Sequence, residues 1–102
     1  MKTMLEVVFT ERALSDLERI CQFLEQEEPE VALAAGQEIV EATSILQRHP
    51  FVGRPAEYTL RELVISKGRT GFVALYRFLP AKSRVDILAL RHQRECGFGE
   101  WR

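Results

Sequence analysis

The hydrophobic positions of this chain recur first with the period of a strand and then with the period of a helix. Leu5, Val7 and Phe9 alternate along a β-branched and aromatic segment, which predicts a first strand. Thr10 then has the side chain of a helix N-cap. The segment after it places apolar residues along one helical face, at Ala13, Leu14, Leu17, Ile20, Cys21 and Leu24. A strand followed by an amphipathic helix is therefore predicted.

A second helix is predicted to begin at Pro29, because proline is favoured in the first helical turn. Its apolar positions combine small alanines with larger residues such as Ile39. It should end near Arg48, because Pro50 disfavours helical backbone at the residue before it. The polar link over residues 25–28 is short, so the two helices should form an antiparallel hairpin.

The second half of the chain predicts a meander of strands. Residues 49–58 contain Pro50, Gly53 and Pro55, and we expect a loop there. Three apolar runs follow at residues 60–65, 72–79 and 85–90, joined by short links. The predicted fold class is α+β, in the order β-α-α-β-β-β, with the helical hairpin packed on one face of a mainly antiparallel four-stranded sheet. The other face remains for solvent or a partner.

Charge is divided unevenly along the chain. Residues 1–60 carry five Lys or Arg and eleven Asp or Glu, whereas residues 61–102 carry nine and four. A basic second half indicates a surface suited to an acidic partner, such as nucleic acid or an acidic protein segment. A chance segregation of solvated faces would give the same pattern. The length of 102 residues fits a single domain over residues 1–102.

Several classes of protein lack support in the sequence. The N-terminus has no signal peptide, and no apolar run is long enough to span a bilayer, so we expect a cytoplasmic protein with no membrane partner. Cys21 and Cys96 are far apart and have no metal-ligand spacing, so no metal site is expected. Cys21 is predicted to be a core residue, and Cys96 has no assigned role. No nucleotide or hydrolase motif is present, and we expect no cofactor.

Five short motifs occur in a recognisable order. They are residues 8–17 at the strand-to-helix junction, the set Leu46, Pro50, Gly53 and Arg54, the LREL of residues 60–63, the strand ending in YR at residues 73–77, and residues 87–94 with their final HQR. None is specific alone, but the ordered set resembles the RelE/ParE superfamily of toxins from type II toxin–antitoxin systems. The similarity covers residues 4–98.

The resemblance implies one of two activities. RelE-like members cut mRNA on the ribosome, and ParE-like members inhibit DNA gyrase. RNA cleavage needs an acid, a base and cations around the phosphate, which RelE-like enzymes supply with Lys and Arg on the middle strands and a late Tyr. Here Arg61 alternates with Leu63, an expected arginine is replaced by Val73, and Phe98 and Trp101 lack the phenolic hydroxyl. We therefore predict no catalytic residues and an inhibitor of DNA gyrase, with an associated role in plasmid stabilisation.

The candidate target-binding residues are cationic or titratable and belong to the late strands: Arg61, Arg77, Arg91, His92 and Arg94. Arg91 and Arg94 bracket His92 and can hold a carboxylate or phosphate, or they can form a solvated strand end. Arg77 either faces solvent or lines a partner-binding face, and Arg61 can instead form a structural ion pair. His92 can act as an acid or base with the arginines around a phosphate, although capping of the last strand is the favoured interpretation.

The resemblance also implies partners. A ParD-like antitoxin should bind the toxin as an amphipathic segment, either as a helix in a groove or as an added strand, and the basic sheet would suit an acidic tail. DNA would be reached only indirectly, through the antitoxin complex. A RelE-like ribonuclease remains one alternative. Another is an inactive toxin that serves only as the antitoxin's partner in a DNA-binding autorepressor complex.

Overall fold

The computed structural model describes residues 4–65, 71–93 and 95, leaving aside the side chain of Leu33. Strand β1 spans Glu6–Phe9 and is followed by two helices, α1 at Glu11–Glu27 and α2 at Pro29–Thr43. The remaining strands are β2 at Arg54–Pro55, β3 at Leu60–Ile65, β4 at Phe72–Leu79 and β5 at Arg84–His92. One 3-10 turn at Ser44–Gln47 follows α2, and another at Pro80–Lys82 joins β4 to β5.

The strands form one mixed sheet in the order β1-β5-β4-β3-β2. The β1–β5 pair is parallel and the other pairs are antiparallel. The α+β class and the element order are thereby confirmed, but the sheet has five strands where four were predicted. The additional strand, β2, lies inside the predicted loop, where Arg54 pairs with Glu62 and Pro55 with Arg61. Two residues that include a proline carry no alternating pattern, so the sequence gives no signal for this strand.

Helix α1 begins as predicted, because Thr10 Oγ1 accepts a hydrogen bond from Ala13 N at 3.2 Å. Its buried stripe differs from the predicted one. Ile20 and Leu24 are buried, but Leu14 is 53% exposed and Asp16 is buried in its place. The reason is that α1 packs on both α2 and β5, and Asp16 has a polar partner on that strand. Cys21 is only half-buried, so its prediction as a core residue was wrong.

Helix α2 begins at Pro29 as predicted but ends five residues before the expected boundary near Arg48. The backbone tightens into the 3-10 turn of Ser44–Gln47, and Ser44 Oγ donates a hydrogen bond to the Glu41 carbonyl oxygen at 2.6 Å. A serine side chain that bonds to the preceding turn competes with the helical pattern, which helps to explain the early end. No helix within the described ranges has the length and apolar character needed to cross a bilayer.

The two faces of the sheet have separate apolar clusters. The helix-covered face holds the main core, which includes Ile39, Leu46, Phe72, Tyr76 and Ile87. The helix-free face has a smaller buried cluster formed by Leu60, Leu75, Leu88 and Ala89, against which Ala56 packs. The β2–β3 hairpin therefore covers part of the face that the sequence left to solvent or a partner.

Candidate functional site

The predicted target-binding residues do not form one cluster. Arg61 and His92 lie on the helix-covered side of the sheet, whereas Arg77 and Arg91 lie on the helix-free side. Arg94 lies outside the described residues. Neighbouring residues of a strand face opposite sides of a sheet, so Arg91 and His92 cannot reach the same ligand from within β5. The sheet therefore lies between His92 and two of the arginines, Arg77 and Arg91, that were predicted to surround one phosphate with it.

Arg61 holds the loop that precedes β2. Its Nη1 donates hydrogen bonds to the carbonyl oxygens of Phe51 at 3.1 Å and Gly53 at 2.7 Å. Its guanidinium carbon lies 5.1 Å from the centroid of the Phe51 ring, within the range of a cation–π interaction. These contacts give Arg61 a structural role in its own chain, through loop carbonyls and an aromatic ring.

Tyr76 also binds this loop, although it was not among the predicted target-binding residues. Its buried hydroxyl accepts a hydrogen bond from Gly53 N at 2.9 Å and donates one to the Pro50 carbonyl oxygen at 2.8 Å. A Cβ atom at Gly53 would lie 2.6 Å from Tyr76 Cε1 and 2.7 Å from the Glu62 carbonyl oxygen, so the loop requires glycine there. Burial raises the pKa of Tyr76, although the Gly53 hydrogen bond and the charge of Arg61 oppose the shift. The hydroxyl is thus a neutral structural group.

His92 is the last residue of β5 and is only 5% exposed. Its ring meets the edge of Phe72 at 5.6 Å, on the helix-covered side. Its backbone N–H donates to Glu95 Oε1 at 2.7 Å, and Glu95 also receives a 2.7 Å hydrogen bond from Arg19 Nη1. Burial tends to raise the pKa of Glu95, but the hydrogen bonds from His92 and Arg19 lower it further than burial raises it. The strand end is therefore closed by an ionised Glu95 bonded to α1.

A cavity of about 440 Å³ opens beside this strand end. It is lined by Arg19, Ile20 and Phe23 of α1 together with His92 and Glu95. Phe23 is 51% exposed, and the Arg19–Glu95 ion pair forms part of the charged lining. Apolar side chains line the cavity between the charged groups. Binding sites usually combine apolar walls with a few polar groups in this way.

Arg91 lies on the other side of β5, opposite Val73 of β4. Its Nη1 is 3.3 Å from the Glu95 carbonyl oxygen and 3.5 Å from that of His92. These contacts bend its head group over the end of the strand. Arg91 therefore supports the chain after β5 while keeping part of its side chain exposed.

Asp16 is a polar residue outside the predicted apolar face of α1, and the structure buries it. Its Oδ2 accepts a hydrogen bond from Leu90 N at 2.9 Å, so the helix side chain satisfies a backbone group of β5. Its carboxylate is also within 3.0 Å of Arg12 Nε and 3.6 Å of Arg19 Nη2. The signal in the sequence is the pair of arginines four residues before and three residues after an aspartate, which a hydrophobic pattern ignores.

His92 and Tyr76, whose side chains can transfer protons, are both buried. General acid–base catalysis needs two proton-transfer groups within hydrogen-bond reach of one reacting centre. Among the described residues, His92 is buried against Phe72, and the hydroxyl of Tyr76 is occupied by the loop backbone. No group of three or more His, Cys, Asp and Glu side chains that could hold a metal ion occurs in this part of the chain.

Two solved toxin–antitoxin structures share the fold. The chromosomal ParDE toxin–antitoxin system from P. aeruginosa aligns with a TM-score of 0.75 and 31% identity, covering 87% of this chain and 96% of that chain. The toxin–antitoxin complex RelBE2 from Mycobacterium tuberculosis aligns with a TM-score of 0.63 and 25% identity, covering 93% and 98%. The fold is therefore that of the RelE/ParE superfamily of type II toxins.

Sequence comparison identifies the family of toxins to which the chain belongs. The toxin RelE2 of Caulobacter vibrioides is 35% identical over 89 residues, which are 87% of this chain and 96% of that protein. The toxin RelE3 of the same organism is 33% identical over 84 residues, which are 82% and 89%. The model of the ParE toxin of type II toxin–antitoxin systems matches residues 7–96. The chain belongs to the ParE toxin family, which confirms the resemblance inferred from the motifs.

Proposed function

We propose that this toxin acts by binding and inhibiting DNA gyrase, without breaking a bond itself. A ParD-like antitoxin would neutralise it in the cytoplasm, and the pair would contact DNA only through the antitoxin, with plasmid stabilisation as its role. The match to the ParE family model and the 31% identity to a ParDE system support this choice of target.

The observation that carries the proposal is the division of the cationic residues by the sheet. A ribonuclease of this fold would need its proton-transfer groups and its cations on one side of the scissile phosphate. Arg61 is bonded to loop carbonyls on one side, and Arg77 and Arg91 are on the other. Leu63, at the position that alternates with Arg61, packs against the apolar core. We therefore assign no catalytic residues and regard Arg77 and Arg91 as the better target-binding candidates, with Arg94 retained on its sequence position.

A RelE-like ribonuclease is the second candidate function, because two similar relatives are named RelE2 and RelE3. Such an activity would have to use residues outside the set predicted above. An inactive toxin that only completes an antitoxin complex is the third candidate, and it would retain antitoxin binding without either activity.

The antitoxin partner is supported by the solved ParDE and RelBE2 systems and by exposed apolar side chains on the toxin. Leu14 and Phe23 of α1 are both about half exposed, and Phe23 lines the cavity beside His92. We propose that an amphipathic segment of the antitoxin places an apolar side chain against Phe23 in this cavity, since helix-in-groove binding buries apolar anchors of the partner.

Two assays on the purified chain separate the candidates. Incubation with DNA gyrase, ATP and relaxed plasmid should leave the plasmid relaxed or trap it as cleaved complexes. Primer extension on mRNA from a translating extract should show no new ends. Codon-linked cuts with normal supercoiling would replace the proposal with the ribonuclease. Loss of both effects, with antitoxin binding retained, would identify the inactive form.

A further inference from the structure

Arg77 lies in the middle of the helix-free face. In the sheet register it is opposite Leu60 of β3 and Asp86 of β5, next to the buried cluster of that face. Its side chain is half-buried, and its Nε atom is buried without a hydrogen-bond partner among the described residues. A charged donor in this state is destabilising. Of the guanidinium nitrogens of Arg77, only Nε is buried in this way, so a ligand from outside the chain would reach the terminal nitrogens.

The carboxylates nearest to Arg77 are already engaged. Asp86, directly opposite, receives Arg84 Nε at 2.8 Å and Arg84 Nη2 at 3.3 Å, one on each oxygen. Glu62, diagonal to Arg77 across β3, is bound by Arg54 Nε at 2.9 Å. Arg84 and Arg54 are thus matched to these two acids, and neither acid is paired with Arg77.

We propose that Arg77 binds a carboxylate side chain of the protein that the toxin targets, an inference that rests on gyrase being that target. A planar guanidinium beside an apolar cluster can take a carboxylate through two parallel hydrogen bonds. A carboxylate fits better than a nucleic-acid backbone, because a run of phosphates needs several available cations, and the neighbouring Arg84 and Arg54 are already paired with Asp86 and Glu62. Arg77 is therefore the anchor of a protein–protein contact.

The first test uses the full chain and small anions. The Nε–H resonance of Arg77, assigned in the NMR spectrum by its loss in Arg77→Gln, should shift on addition of sodium acetate and shift less with inorganic phosphate at the same ionic strength. Lys82→Gln removes the same charge from an exposed turn and should leave the shift intact. No response to acetate, or a stronger response to phosphate, would overturn the assignment of a carboxylate site.

The second test uses purified DNA gyrase. Arg77→Gln should raise the toxin concentration for half-inhibition of supercoiling by about tenfold or more, the size expected when a hydrogen bond to a charged group is lost. Lys82→Gln should leave that concentration within about twofold, as surface changes usually do. Urea unfolding should show that Arg77→Gln is at least as stable as the wild type, because the variant removes a buried guanidinium Nε that has no hydrogen-bond partner among the described residues.

Variants of the neighbouring Arg84–Asp86 ion pair test whether Asp86 can compete with the target for Arg77. Arg84→Gln frees Asp86 to neutralise Arg77 and should weaken inhibition as Arg77→Gln does, while Arg84→Gln combined with Asp86→Asn should restore it. Inhibition by Arg77→Gln equal to that of the wild type would refute the proposal. A wild-type chain that does not inhibit gyrase at all would remove the proposed function, and the acetate titration would still decide whether Arg77 is a carboxylate site.

Discussion

Asp16→Ala should destabilise the protein strongly, because it removes the side chain that links α1 to β5. The carboxylate is 6% exposed and accepts the Leu90 N–H at 2.9 Å, and Leu90 is itself only 1% exposed. A buried backbone donor left without an acceptor costs about 1–3 kcal/mol. The ion pairs add less, since Arg12 and Arg19 are 34% and 47% exposed and would be resolvated, at about 0–1 kcal/mol each.

The expected loss is therefore about 1–5 kcal/mol in the free energy of unfolding, against a total of about 5–15 kcal/mol for a domain. Urea unfolding followed by circular dichroism measures it. Glu18→Ala is the matched control, because it removes the same charge from an exposed position of the same helix and should cost no more than about 0.5 kcal/mol. If Asp16→Ala unfolds within about 0.5 kcal/mol of that control, the size of an ordinary surface effect, the bond from Leu90 N–H to Asp16 does not stabilise the fold.

Two further predictions concern the loop and the strand end. Tyr76→Phe leaves Gly53 N and the Pro50 carbonyl without their shared hydroxyl and should lower the free energy of unfolding by about 1–3 kcal/mol. Tyr58→Phe is the control in the same urea titration, because Tyr58 is 87% exposed. Equal losses of unfolding free energy in the two variants would mean that the Tyr76 hydroxyl does not bridge the loop. Because the folded pKa of Glu95 lies below its ordinary value of 4.5, this carboxylate stabilises the fold above that pH, and the contribution is lost as the pH falls through the folded pKa. The free energy of unfolding of Glu95→Gln should therefore depend less on pH below 4.5 than that of the wild type. An unchanged pH profile would contradict the stabilising role of the ionised Glu95.

Much of the fold could be predicted from periodicity. The positions of β3 and β4, the start of α2 at Pro29 and the N-cap at Thr10 were all given by local patterns. Strand β2 could not be predicted, because a two-residue strand exists only through its pairing with β3. The same limit applies to the end of α2, where residues 44–47 have helical composition but a 3-10 backbone.

The site was harder to predict, because the side of the sheet on which a residue lies depends on register. Arg91 and His92 are adjacent in sequence and were grouped together, yet the pleat of β5 places them on opposite sides. Arg61 was grouped by charge with Arg77, whereas its actual contacts are carbonyls of a loop that precedes it in the chain. Residue type identified the cations, but only the tertiary structure shows that Arg61 is bonded to its own loop, whereas Arg77 Nε has no hydrogen-bond partner among the described residues.

A titration of DNA gyrase with the purified toxin distinguishes an inhibitor that binds gyrase from a ribonuclease. If the toxin inhibits by binding, the loss of supercoiling should rise with the molar ratio of toxin to gyrase and reach a plateau that does not change with incubation time. Toxin present at a small fraction of the gyrase concentration should leave most of the activity. Undisturbed supercoiling at excess toxin, together with mRNA ends that accumulate with time at catalytic amounts of toxin, would contradict the account.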